Sequence, residues 1–155
     1  QRRQRQQGRA HEAMRFYASA LPDGAIESAT LYQSGEGPEE SVKHGRFQCA
    51  GNAMIATDSH VSPDLAFNAA ISLQLMCRDQ AEVDRCWDAL TAAGAPGPCG
   101  WLTDRFGVSW QVVPDELGVW MASPDTAARD RAFAAMLHMG KLDIAALRAA
   151  FDGAA

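Results

Sequence analysis

The order of its elements constrains this chain more than its composition does. A helical stripe followed by short strands of alternating character occurs twice. In residues 9–21, Ala10, Ala13, Met14, Tyr17 and Leu21 recur at the spacing of one helix face. Leu21-Pro22-Asp23-Gly24 then breaks the helix. Residues 25–33 read as a strand and Ser34–Pro38 as a flexible connection. Residues 41–49 and 53–58 read as two strands turned at Ala50-Gly51-Asn52. A Pro- and Asp-containing link at residues 59–68 marks the midpoint. Beyond it, a strand at residues 70–77 precedes the second stripe, residues 80–93. There Asp79 is the N-cap, Glu82 completes a capping box, and Val83, Cys86, Trp87 and Leu90 form the buried face up to a stop at Gly94. Ala95-Pro96-Gly97-Pro98 cannot continue a helix. Strands follow near residues 99–103 and 107–113. Ser123-Pro124 opens a helix that runs to about Met139, and a last helix starts from Asp143 and buries Ile144, Leu147 and Phe151.

This order implies a duplicated strand–helix–strands unit. The second copy has its opening strand. In the first copy that place falls on Gln1–Gln7, which holds no apolar residue, and burying those arginines in a sheet would be costly. The second copy reads as one strand short, because only residues 95–98 separate its helix from the next strand. The expected organisation is a basic tail at 1–8, a first module at 9–60, a second, shortened module at 68–114, and C-terminal helices at 115–155.

Composition bounds the function. At 155 residues the chain is one domain or two small half-domains. With 47% hydrophobic and 21% charged residues, it is not disordered. The net charge is −5, although Arg2, Arg3, Arg5 and Arg9 sit in the first ten residues. An acidic body argues against nucleic-acid binding. No apolar run reaches the roughly 18–20 residues that span a bilayer, and no secretory start is visible. The expected location is the cytoplasm. Cys49, Cys77, Cys86 and Cys99 form no C-x-x-C pair and read as reduced thiols, with Cys99, between Pro98 and Gly100, the most exposed.

Alternation locates a candidate site. In the strand at 70–77, Ile71, Leu73 and Leu75 oppose Ser72, Gln74 and Met76. In the strand at 107–113, Val108, Trp110 and Val112 oppose Ser109, Gln111 and Val113. In the strand at 41–49, Val42, His44, Arg46 and Gln48 share a face opposite Lys43, Gly45, Phe47 and Cys49. Helices cover the more apolar faces. The polar faces are either solvated, as is usual for antiparallel sheets, or line a concave site.

The stretch Gly100-Trp101-Leu102-Thr103-Asp104-Arg105-Phe106-Gly107-Val108-Ser109-Trp110-Gln111-Val112-Val113-Pro114 resembles the PhnB-like branch of the vicinal-oxygen-chelate (glyoxalase/bleomycin-resistance) superfamily, also catalogued as "3-demethylubiquinone-9 3-methyltransferase". Glu12–Met14, Phe16-Tyr17, Asp79–Arg85 with Trp87, and Met136–Met139 with Lys141–Ile144 agree with it. The resemblance covers about residues 8–151. It implies an α+β fold of paired βαβββ modules forming a cupped, mostly antiparallel sheet with a helical tail, in a homodimer. Metal-using relatives hold a divalent ion in the cup through His and Glu. The corresponding positions here fall at about Ser72 and at Gln111, whose neutral oxygens are poor substitutes. His44 and Asp58 are the remaining weak candidates, so no metal and no cofactor are expected. A methyl donor commonly needs a Gly-rich strand-to-helix turn, and no G-x-G-x-x-G is present.

Three functions compete. The favoured one is metal-free binding of a small organic molecule in a cup lined by Ser72, Gln74, Ser109 and Gln111, with His44, Arg46 and Trp101 beside them. The second is a small-molecule enzyme: a metal-dependent lyase, isomerase or dioxygenase, or the catalogued methyltransferase, with His44 as its titratable group. The third is a structural or partner-binding module that uses the apolar tail, where Phe133, Met136, Leu137, Met139, Leu142, Ile144, Leu147 and Phe151 exceed what one helix pair buries.

Overall fold

The computed structural model describes residues 8–37, 40–59 and 66–154. It is a mixed α+β protein whose chain divides into two units, Gln1–Ala66 and Phe67–Ala155.

The first unit opens with helix α1, Ala10–Ala20, whose Met14 and Tyr17 are buried as the stripe predicts. Strands β1 (Ala25–Leu31), β2 (Val42–Cys49) and β3 (Asn52–Ala56) form an antiparallel sheet in the order β1-β2-β3. The helix lies on β2. Tyr17 stacks on Phe47 with ring centroids 6.2 Å apart. Gly45 admits the Met14 thioether so closely that a Cβ there would lie 2.4 Å from the sulfur. From His44 onward β2 alternates as expected, with Gly45, Phe47 and Cys49 buried and His44, Arg46 and Gln48 exposed. Val42 departs from the expected face: it is fully buried, next to a register shift between Thr30 and Leu31 on β1. The turn from β2 to β3 has two residues, Ala50 and Gly51, both at positive φ (50° and 72°). That matches the primed turns whose twist suits a hairpin. The opening strand expected at Gln1–Gln7 lies outside the described residues.

The second unit contains β4 (Leu73–Cys77), α2 (Gln80–Thr91), β5 (Ala95–Pro96), β6 (Trp101–Thr103) and β7 (Ser109–Pro114). Its sheet order is β4-β7-β6-β5. The first and last strands pair in parallel and the others antiparallel. This is a βαβββ unit. The strand that the sequence reading left out is β5, two residues paired with Leu102 and Thr103. Two residues give no period to read, and Pro96 fits at the sheet edge, where its missing N–H breaks no ladder. The strand read as starting at residue 70 begins at Leu73, so Ile71 joins no apolar face and stays 80% exposed.

Helix α2 has the predicted Asp79 cap, whose Oδ1 accepts the Glu82 N–H at 2.8 Å, but the Glu82 carboxylate reaches past the cap residue that a capping box would use and takes the Arg78 N–H and guanidinium. Val83, Cys86, Trp87 and Leu90 are buried, in a core that also contains Leu75, Cys77, Leu102, Trp110 and Val112.

Three helices follow: α3 (Asp115–Met121), α4 (Thr126–Met136) and α5 (Ile144–Asp152). The sequence reading missed α3 and placed the next N-cap at Ser123. The cap is Asp125, whose carboxylate accepts the Ala128 N–H, while Ser123 Oγ receives the Asp125 N–H. The Asp143 cap of α5 is as expected. The segment before α5 is fastened to the βαβββ core. Gln80 donates to the Leu142 carbonyl and accepts the Ile144 N–H, and the N–H groups of Cys99 and Gly100 donate to Met139 and Gly140 at 2.7 and 2.8 Å. Leu142 and Leu147 are fully buried. Among the described residues no helix is long and apolar enough to cross a membrane.

Candidate functional site

The second unit gathers the polar residues that alternation singled out. Register places Gln74, Gln111 and Trp101 side by side across β4, β7 and β6 on one face. The opposite face holds Leu75, Leu102, Trp110 and Val112, all buried. Ser72, just before β4, receives a hydrogen bond from Gln111 Nε2 at 2.9 Å. Gln74 is exposed, and Trp101, Gln111 and Ser72 are half-buried. Met76 and Thr103 also lie on the face, with the buried Val113, and were not among the expected site residues, although the period-two count that found Gln74 includes Met76. Ser109 is a correction. It lies on this face beside Thr103 but is 4% exposed. It cannot present its hydroxyl openly.

Trp101 sits on a fixed turn. Its N–H donates to the Pro98 carbonyl and its carbonyl accepts the Gly97 N–H. The two residues before it, Cys99 and Gly100, occupy the left-handed region (φ 55° and 81°) and are pinned to Met139 and Gly140.

His44 and Arg46 belong to the first unit, where both are exposed on β2. His44 pairs in register with Thr30. Arg46 is engaged: its Nε reaches Glu27 at 3.1 Å, and Gln48 donates to the other Glu27 oxygen at 2.7 Å. These bonds, from Gln48 first and then Arg46, hold the Glu27 carboxyl below its ordinary range.

Asp58, one of the two metal candidates, is engaged by the backbone. Asp58 is buried, and each of its oxygens accepts a backbone N–H, Ala10 at 3.1 Å and Val42 at 2.8 Å. It fastens the start of α1 to the start of β2. At Ser72 and Gln111 the two neutral side chains bond to each other, and hard or borderline cations bind such groups less well than carboxylate or imidazole. Among the described residues no group of three or more His, Cys, Asp or Glu is placed to hold a metal ion.

A second buried carboxylate escaped the sequence reading. Asp104 accepts the Phe106 and Val108 N–H groups and the Trp110 indole N–H, at 2.8, 3.1 and 2.8 Å. The signal was present: an aspartate opening a turn ahead of glycine commonly bonds its own backbone. The four cysteines are free thiols, and Cys99 is the least buried, as expected. Burial pushes the Cys49 thiol up. A hydrogen bond with Cys86, together with burial, pushes Cys77 up, and the same bond holds Cys86 down.

These features define an α+β protein with a βαβββ unit, one sheet face of which presents uncharged polar, aromatic and thioether side chains. The model of the 3-demethylubiquinone-9 3-methyltransferase family matches residues 6–113, and the chain belongs to that PhnB-like family. The match ends one residue before the end of β7, so α3, α4 and α5 lie beyond it. A solved PhnB protein from Bacillus cereus, provisionally labelled a 3-demethylubiquinone-9 3-methyltransferase, is 33% identical with a TM-score of 0.64, over 70% of this chain and 92% of its own. A protein from Pseudomonas aeruginosa is 26% identical with a TM-score of 0.60, over 70% and 90%. No curated protein matches the chain.

Proposed function

We propose that this protein binds a small organic molecule, without a metal, on the sheet face of its second unit, and that its family is a branch of the vicinal-oxygen-chelate superfamily. The observation that carries the reading is the row Gln74–Gln111–Trp101 with Ser72 bonded to Gln111. Amides supply both donors and acceptors to a ligand, and an indole supplies an apolar wall. The methyltransferase name is a family label. The second unit's sheet is mostly antiparallel, and its strand-to-helix turn, Arg78-Asp79, has no glycine to admit a nucleotide phosphate. The reading includes a homodimer in the cytoplasm. Light scattering at micromolar concentration tests the dimer, and a monomer would remove it.

The deciding experiment is a thermal-shift screen against a broad metabolite and drug panel, with elemental analysis of protein purified without chelator. A ligand at 100 times its Kd adds about 2.7 kcal/mol of stability, so a true ligand raises Tm by several degrees. The expected result is at least one such compound and no stoichiometric metal. One equivalent of zinc, iron or manganese would move the protein to the enzyme class, and a flat screen would remove the binding reading.

A further inference from the structure

We infer that the ligand of this face is an uncharged planar molecule carrying a carbonyl or hydroxyl group at one edge, an inference that rests on the binding reading above. The exposed and half-buried residues of the face, Ser72, Gln74, Met76, Trp101, Thr103 and Gln111, carry no charge. Arg78, which follows β4, is engaged by the buried Glu82 of α2. An ionic ligand laid on this face would lose water and gain no counter-charge, which is unfavourable. A neutral one loses little.

Planarity follows from Trp101. Its indole is half-exposed, and its Nε1 has no hydrogen-bond partner among the described residues, whereas Trp110 Nε1 is bonded to Asp104. The turn before it is fixed by Gly97, Pro98, Met139 and Gly140, so the ring is presented on a rigid support. A rigid aromatic surface favours stacking of a flat partner over contact with a flexible chain.

The polar edge follows from the two amides. Gln111 spends one N–H on Ser72, which fixes the amide and leaves its second N–H and its oxygen for a ligand. Gln74 stands on the neighbouring strand, about 4.8 Å away in the hydrogen-bonding direction, and is exposed. A carbonyl or hydroxyl at the edge of a ring stacked on Trp101 meets both.

The test is NMR titration of the full chain, following the Trp101 indole N–H and the Gln74 and Gln111 side-chain amides. The probes are 7-methoxycoumarin and 2-quinolinone (flat and neutral), coumarin-3-carboxylate (flat and anionic) and cyclohexanecarboxamide (neutral and not flat). The two neutral planar probes should move these signals and bind at least about tenfold more tightly than the other two. Trp101→Leu should weaken them by about tenfold, and Gln74→Leu, at an exposed position where folding is not at stake, by about fivefold. Tighter binding of the carboxylate or the carboxamide, or equal affinity in the Trp101→Leu protein, would overturn the ligand class. If a panel compound outside the class moves the same signals, the class falls and the site survives. If no compound of any kind moves them, the binding reading itself falls.

Discussion

The two units share an order of elements and differ in what they bury. In the first, β1 is exposed at every position and β3, with the sequence Asn-Ala-Met-Ile-Ala, leaves Ile55 62% exposed. In the second, the corresponding last strand β7 is buried at every position but Gln111, including the polar Ser109. The strand sequences do not account for this, since β3 is hardly less apolar than β7. Position does. β7 lies between β4 and β6, under α2, whereas among the described residues β3 pairs with β2 alone. Burial of a strand is decided by its neighbours in the sheet.

The two buried aspartates allow the largest test of this difference. Asp104 satisfies three donors around the β6–β7 turn, one of them the Trp110 indole in the core. Asp58 satisfies two, between α1 and β2. Asp104→Ala strands all three and should cost about 3–4 kcal/mol; Asp58→Ala should cost about 2 kcal/mol. Urea unfolding followed by tryptophan fluorescence and circular dichroism measures both. Equal costs would mean that the first unit is held as firmly as the second, contrary to its exposure.

These aspartates also show where sequence reading stops. Both helical stripes, the Asp79 cap of α2, the hairpin at Ala50-Gly51 and the Asp143 cap were legible because they rest on spacing and local chemistry. Polar–apolar alternation found the Gln74–Gln111 row for the same reason. The backbone role of Asp58 was hidden because its partners, Ala10 and Val42, lie far off in the chain. Ser109 was misread as open because alternation tells which face a residue takes and not what stands over that face. Strand β5 was invisible because two residues give no period, and α3 because Asp115–Met121 directly follows a strand without a separate cap signal.

A core-against-edge pair sharpens the comparison. Val112→Ala removes two methyl groups from a fully buried site and should cost about 2–3 kcal/mol. Ile55→Thr, in the exposed strand, should stay within about 0.5 kcal/mol. If Ile55→Thr costs as much as Val112→Ala, then β3 is covered in solution and its exposure does not hold.

Acid should act unequally as well. The side chain and backbone N–H of Arg78 hold the Glu82 carboxyl below its ordinary value of 4.5, and Glu82 is buried. Its folded-state value is depressed, so its contribution is fully present above pH 4.5 and is lost as pH falls through the folded value. Glu82→Gln should flatten the fall of Tm below pH 4.5. Glu27, also held low but on an exposed pair, should change that limb little when replaced by Gln. An identical effect of the two substitutions would show that the acid response is a general charge effect.

The smallest expected effect is a gain, and it lies in the more exposed unit. Ala50 holds φ 50° in the two-residue turn, beside Gly51 at 72°. A left-handed conformation costs an alanine roughly 1 kcal/mol, while asparagine adopts it readily at the first position of such a hairpin. Its side chain would meet little, because Ala50 stands at the tip of the turn and the neighbouring Gly51 has open space around it. Ala50→Asn should therefore stabilise the protein by about 0.5 kcal/mol, read as a higher urea midpoint with an unchanged slope. The Ala50 N–H must keep its bond to the Pro22 carbonyl, which asparagine retains and proline would remove. Ala50→Pro should accordingly destabilise, both by losing that donor and by forcing φ negative. If both substitutions lower stability, the turn is not strained at Ala50.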